Sequence, residues 1–363
     1  MKRTMKKMVS MALTGTMAVA VLAGAGTSEV KAADKAKIGV LVADVSGEEA
    51  QGFRSYYENY IAGNYDVEFN YTDALQSAED EKTAIEKFAS QGCQAIISFS
   101  SNDRVQQIET CEKYGVYYAV ASGVLDDAQY ETYKTYEYFA GQVGPGNDTE
   151  FEAGKDMGAY YKEQGVSKVA IYGAFIPNPM HVYRVAGVLN GLGCTYGGES
   201  DMNAIAGQIF QDQTVDLSKV EGDVEVVSYL QGYGDTTTDE LNAAIQKTPD
   251  AFISVGMATT FFAQSLSEAG ISFSDIDSFT ETNGNSMKNG TLTYLAGKYS
   301  SSIGPVFALV MNAINGNVIR DEDGNAPSIS QGYLVATDSD TFDKYSVSDS
   351  GDAPIYDKET LDS

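Results

Sequence analysis

From Lys37 onward two hydrophobic patterns alternate along the chain. Short runs of β-branched residues end in small polar ones, and segments with apolar residues three and four apart follow them. Ile38-Gly39-Val40-Leu41-Val42 predicts a first strand, and 48–62 predicts its helix, with Phe53, Tyr56, Tyr57 and Tyr60 on one face. Strands are predicted over 67–71, 95–99 and 116–121, with helices over 80–90 and 103–114, the first of them stopped by Gly92. A further strand over 138–143 runs into Gly144-Pro145-Gly146, which breaks the chain, and Asp148 or Thr149 is placed to cap a helix over 150–164. The alternation then restarts. Strands are predicted over 169–172, 224–229, 251–255, 292–296 and 331–336, with helices over 180–192, 238–246, 259–269 and 302–315. Such alternation predicts an α/β fold of parallel sheets with helices on both faces, and the break near 141–145 divides it into two Rossmann-like lobes.

The first residues follow a different rule. Lys2, Arg3, Lys6 and Lys7 precede an uncharged apolar stretch over 8–25, and Val30-Lys31-Ala32 puts small residues three and one before a cut that leaves Ala33 first. This is the layout of a secretory signal peptide over 1–32, and it predicts export to a periplasm or the cell exterior. The stretch is also long enough to stay in a bilayer as an anchor, but its Ala, Gly, Ser and Thr make it weakly hydrophobic. Leu22-Ala23-Gly24-Ala25 has the form of a lipoprotein signal with Ala25 in place of the acceptor cysteine, so no lipid can be attached there.

Composition narrows the chemistry. The net charge is −27, and removing the leader, with Lys2, Arg3, Lys6, Lys7 and Lys31, makes it more negative. That field repels nucleic acid and anionic lipid. Cys93, Cys111 and Cys194 are too few for a disulfide framework, although a bridge between Cys93 and Cys111 stays open beside the plainer reading of three buried thiols. His181 is the only histidine, there is no CxxC pair, and no GxSxG, Walker or GxGxxG pattern occurs, so neither a metal or cofactor site nor a catalytic constellation is read. Asp321-Glu322-Asp323-Gly324-Asn325 lacks the spacing and terminal Glu of a calcium loop and reads as a turn.

Loops that follow strands place polar groups at helix N-termini, where free N–H groups favour hydroxyl oxygens or carboxylates. Ser46 stands in the first such loop, with Glu49 spaced to complete a capping box. Ser100, Ser101 and Asn102 form the second, which suits a polyol, and Asn102 or Asp103 caps its helix. Ser122, beside Gly123, forms the third.

This order of units resembles the type I periplasmic solute-binding proteins, especially the ribose- and galactose-binding branch, over about 36–340. The residues that carry it are 37–46, 93–102 and 116–123 as strand-plus-loop units, 138–161 as a first crossover, 172–189 with Arg184 ahead of Ala186-Gly187, and 295–317 as a return crossover. The resemblance implies three interlobe crossovers and discontinuous lobes: 33–141 with 296–318, and 144–293 with 320–345, leaving 346–363 as a polar tail that frays. It places the ligand in the cleft between lobes and aligns Arg184 with a ligand contact, its planar fork suited to vicinal hydroxyls or a carboxylate. Phe175 and Tyr183 flank that arginine as stacking groups, and Glu281, Asn283 and Lys298 stand at a strand end or crossover. Two departures from the family's sugar clamp stand out. Val255-Gly256-Met257-Ala258 replaces a strand-ending Asn-Asp, and Phe279-Thr280-Glu281-Thr282-Asn283 is the best match to a strand-ending Gly-Phe-Asp.

The expectation is a monomeric, non-enzymatic protein that captures a sugar, polyol or nucleoside and delivers it to the membrane permease of an ABC transporter. A ligand-sensing module that presents its ligand to a membrane receptor is the alternative, and a secreted hydrolase is a third reading.

Overall fold

A computed structural model describes residues 35–349 and 353–363, so the expected signal peptide over 1–32 lies outside the described residues. The strands are β1 Ala36–Val42, β2 Val67–Ala74, β3 Ala95–Ser98, β4 Tyr117–Ala121, β5 Phe139–Gly144, β6 Lys168–Tyr172, β7 Thr195–Tyr196, β8 Val220–Glu221, β9 Glu225–Leu230, β10 Ala251–Ser254, β11 Ser272–Ser278, β12 Leu292–Lys298, β13 Ser328–Ser330 and β14 Leu334–Ala336. Two six-stranded sheets result, ordered β13-β5-β4-β3-β1-β2 and β14-β12-β11-β10-β6-β9, while β7 and β8 form a small ribbon. Every pairing in the first sheet is parallel, and in the second only β12 with β14 is antiparallel.

Each lobe has its own core. In the first, the helix Glu48–Ser55 continues through a π-helical turn, Tyr56–Ile61, and buries Phe53, Tyr56, Tyr57 and Ile61 against the sheet and the helix Gly304–Ile314. The Tyr57 hydroxyl donates to the Ile303 carbonyl at 2.9 Å, so this buried phenol costs no unpaired donor. In the second lobe the helices Asn147–Glu163 and Pro179–Gly191 pack backbone to backbone. A Cβ at Gly154 would stand 2.0 Å from the Arg184 carbonyl oxygen, and one at Gly187 would stand 2.0 Å from that of Phe151. Only glycine permits that approach, and it brings Glu150 and Arg184 side by side.

The chain passes between lobes after β5, after β12 and between β13 and β14. The expected boundaries shift in two places. β12 stays in the second sheet to Lys298, and 320–330 belongs to the first lobe. Arg320 donates to the carbonyls of Phe139, Tyr136 and Glu137, and Ser328–Ser330 then pairs with Gln142, Val143 and Gly144. The single last strand expected over 331–336 is therefore a crossover followed by β14. β11 is absent from the alternation read above because a strand buried on both faces there carries Ser274 and Asp275. The three cysteines are buried and free, so Cys93 and Cys111 form no bridge.

The described residues of the polar tail pack on the lobes, where fraying was expected. The helix Ser339–Asp349 belongs to the second lobe, where Phe342 meets Phe279 with ring centroids 5.3 Å apart. Residues 353–363 lie on the first lobe. There Tyr56 donates to the Tyr356 carbonyl at 2.6 Å, Lys358 N donates to the Tyr60 hydroxyl at 2.9 Å, and Tyr65 donates to Asp362 at 2.8 Å. Leu361 packs on the first core. A chain ended at residue 352 should lose about 1–3 kcal/mol of stability, from one partly buried leucine and a few hydrogen bonds. Urea denaturation measures it, and an unchanged midpoint would contradict the docking of this segment.

Candidate functional site

Between the lobes lies a cleft of about 1090 Å³. Val42, Phe99, Ser122, Pro145 and Lys298, at or just beyond the carboxyl ends of β1, β3, β4, β5 and β12, line it. This is where open α/β sheets hold ligands, because backbone donors and loop side chains converge beyond the strand ends. The first lobe adds an aromatic wall in which Phe53 and Phe99 stack at 5.3 Å and 24°. The second adds Tyr183, Phe210 and Met180. Such apolar faces suit the C–H faces of a sugar ring, while the polar groups between them suit its hydroxyls.

Of the residues expected to touch ligand, Ser101, Ser122, Tyr183 and Lys298 line the cleft. Ser122 holds a positive φ of 55° just after β4. Lys298 is partnered already: its ammonium lies 3.2 Å from Glu49 of the first lobe, and Ser278 donates to the same carboxylate at 3.1 Å. Glu49 therefore bridges the lobes instead of completing a capping box with Ser46. Asp44 organises that loop, accepting from Ser46 N at 2.9 Å and Gly47 N at 3.0 Å, and these backbone donors hold its carboxyl below the usual range.

The other expected contacts lie elsewhere, each for a physical reason. Ser46 is exposed outside the cleft lining and bonded to Asp44. Ser100 and Asn102 turn inward to Glu81: the Ser100 hydroxyl donates to it, as do Asn102 N and Nδ2, both at 3.0 Å, and Asp103 N at 3.0 Å. Burial opposes the charge of Glu81, but these donors outweigh it and lower its pKa. Phe175 packs on His181 and Tyr233, with centroids 5.7 and 5.6 Å away. Glu281 is exposed in the first turn of the helix Glu281–Lys288. Asn283 is buried, its amide donating to the Ser278 carbonyl at 2.8 Å. Since β11 ends at Ser278, the stretch 279–283 lies beyond the strand, and the acid nearest the strand end is Asp277. Burial raises the pKa of Asp277 and of its neighbour Asp275.

Arg184 departs furthest from expectation. It is 2% exposed and absent from the cleft lining. Its Nε donates to Glu150 at 2.6 Å, Nη1 to the Val255 carbonyl at 2.8 Å, and Nη2 to the Tyr333 hydroxyl at 2.6 Å and to Glu150 at 3.3 Å. Tyr333 in turn donates to Glu150, with its oxygen 2.8 and 2.9 Å from the two carboxylate oxygens. Burial disfavours the guanidinium charge, but Glu150 and Tyr333 more than offset this and raise its pKa. The glycine contacts between the two helices aim Arg184 at Glu150, while Tyr183, one residue earlier, turns into the cleft. The cleft is also lined by Phe53 and Phe99, read from the sequence as core positions on a helix face and a strand, and by Arg104.

Two outcomes follow. Arg184→Ala should destabilise the ligand-free protein by about 3–5 kcal/mol, because it leaves Glu150 buried without a counter-charge. Chemical denaturation tests it, and a wild-type midpoint would place Arg184 outside the fold's support. His181, buried beside Arg184, has its pKa pushed down to about 4, first by burial and then by that cation. A histidine whose folded pKa lies below its unfolded value supports the fold at neutral pH, and that support is lost as pH falls from about 6.5 toward 4. Wild type should lose about 2 kcal/mol more than His181→Gln between pH 7 and pH 5. Equal losses in denaturation curves at the two pH values would contradict this.

No protein-family model and no curated protein sequence matches the chain, whereas many solved structures do. A periplasmic binding component of an arabinose ABC transporter from Shewanella sp. ANA-3, bound to L-arabinofuranose, is 16% identical, with TM-score 0.61 over 85% of this chain and 94% of that one. An ABC transporter solute-binding protein from Actinobacillus succinogenes 130z with bound D-allose is 16% identical, with TM-score 0.64 over 86% of this chain and 100% of that one. One from Bacillus halodurans C-125 with bound myo-inositol is also 16% identical, with TM-score 0.61 over 88% and 99%. At this identity the likeness is one of fold: the chain has the two-lobed α/β architecture of type I periplasmic binding proteins.

Proposed function

We propose that this chain is an exported, monomeric solute-binding protein that captures a small hydroxyl-rich molecule between its lobes and delivers it to the permease of an ABC transporter. The observation that carries this reading is the cleft itself. It is about 1090 Å³, lies beyond strand ends, and is lined by Phe53 and Phe99 of one lobe and by Tyr183 and Phe210 of the other. Ser101, Ser122, Asn178 and Asn203 add neutral hydroxyl and amide groups to its lining. A ligand that touches both lobes stabilises the closed arrangement, since only a difference in affinity between open and closed forms can shift their balance. The structural neighbours with bound L-arabinofuranose, D-allose and myo-inositol support a sugar or cyclitol. Ser101, Ser122 and Tyr183 are the side chains proposed to meet it, and the cleft is proposed to bind without chemistry.

A thermal-shift series with L-arabinose, D-allose, myo-inositol, nucleosides and amino acids tests the reading. A ligand at 100 times its Kd adds about 2.7 kcal/mol to the native state, which raises Tm by roughly 3–5 °C for a body of this size. The expected result is a rise with a sugar or cyclitol. A rise with a branched-chain amino acid alone would contradict the assignment.

A further inference from the structure

Three cationic side chains line the cleft: Arg54, Arg104 and Lys298. Two of them are satisfied within the protein. Arg54 pairs with Glu58 at 2.9 Å and lies 4.4 Å over the Tyr71 ring, and Lys298 pairs with Glu49 at 3.2 Å. Arg104 differs. It opens the helix Arg104–Tyr114, and among the described residues it makes no ion pair. One bond holds it in place, from Nη1 to the Val124 carbonyl at 2.6 Å. Its Nε is buried without a hydrogen-bond partner, and its flat group lies against Gly123, where a Cβ would stand 2.7 Å from Nη2. An unmade bond at a buried donor of a charged group is costly, and a protein-made acceptor would normally remove that cost. Nη2 makes no hydrogen bond among the described residues, and since Arg104 lines the cleft, that donor can meet an acceptor there.

The acids settle which acceptor. Asp44, Glu49 and Glu150 also line the cleft but are engaged by Ser46 and Gly47, by Lys298, and by Arg184 and Tyr333. Asp126 caps its own helix through Gln129 N at 2.8 Å. Asp127 of the first lobe and Asp148, just past the first crossover, are exposed cleft-lining residues outside every ion pair among the described residues. One cation outside any ion pair therefore shares the cleft lining with two carboxylates outside any ion pair. An anionic ligand would satisfy Arg104 and meet repulsion from Asp127 and Asp148. A hydroxyl both accepts and donates, so a neutral polyol can accept from Arg104 and donate to a carboxylate without that repulsion.

We propose that Arg104, in the first lobe, is the guanidinium that reads the ligand, and that it holds adjacent hydroxyls of a neutral sugar or cyclitol that also donates to Asp127 and Asp148. This rests on the reading of the cleft as a solute site. It moves the role first expected of Arg184 to a side chain on the opposite lobe and fixes the charge class of the ligand.

The test is calorimetric titration of wild type, Arg104→Met and Arg104→Lys with L-arabinose, D-allose, myo-inositol and D-galacturonate, with melting of the ligand-free proteins alongside. Wild type should bind at least one of the three neutral compounds and prefer it to D-galacturonate. Arg104→Met should weaken that binding by about 30-fold or more and Arg104→Lys by about 10-fold or more, the usual effect of removing a charge-assisted hydrogen bond from a desolvated site. Ligand-free Arg104→Met should melt no lower than wild type, because it removes an unpaired buried donor. A merely structural role for Arg104 would instead lower that melting point and leave affinity intact. Affinity within threefold of wild type in both variants overturns the role of Arg104 and leaves the solute-site reading standing. Tighter binding of D-galacturonate than of every neutral probe overturns the neutral class. Failure of wild type to bind any of the four removes the solute-site reading and this inference with it.

Discussion

A guanidinium buried to 2% exposure needs partners at each of its nitrogens, and around Arg184 they come from distant parts of the chain. Glu150 stands a few residues past the first crossover, Tyr333 stands in the third, and the Val255 carbonyl follows β10. The ion pair thereby ties two of the three crossovers to the second lobe. A buried pair of this kind gives little net stability over an apolar replacement, but it fixes geometry, because a partner that moves leaves a charge uncompensated. The glycine contacts between the helices Asn147–Glu163 and Pro179–Gly191 are what make the pairing geometrically necessary.

The same economy of partners governs the cleft. A net charge of −27 suggests a strongly acidic site, yet most acids on its lining are already engaged by the protein. Glu49 closes one side through Lys298, a bridge with side chains 35% and 22% exposed and therefore worth only about 1 kcal/mol or less. A bridge of that strength can break at little cost. What faces the interior of the cleft is a small set of groups with unmet hydrogen-bonding capacity, set between aromatic walls.

The alternation of β-branched runs and amphipathic helices made both sheets legible, since period and length are local properties. β11 escaped because Ser274 and Asp275 occupy buried positions that local pattern assigns to apolar residues. The docking of 353–363 escaped because its partners, Tyr56, Tyr60 and Tyr65, lie some 300 positions away. Ser101, Ser122, Tyr183 and Lys298, expected from their places after strands or beside Arg184, do line the cleft. Ser100 and Asn102 were misplaced because the carboxylate that turns them inward, Glu81, lies on a different helix. Arg184 was misplaced for a related reason: its helix and its register were legible, but the side of the helix from which Glu150 approaches is a tertiary fact. Adjacent residues on a helix point about 100° apart, so a one-residue difference separates a cleft contact from a buried ion pair.

The central claim is that the cleft binds a polyol while Arg184 stays with Glu150 and Tyr333. The most direct measurement is a crystal structure of the protein grown with saturating myo-inositol or D-allose. The account predicts density for the compound between the lobes, in contact with both, with the Arg184 ion pair unchanged. Density on one lobe only or outside the cleft, or an Arg184 swung away from Glu150 onto the ligand, would contradict it.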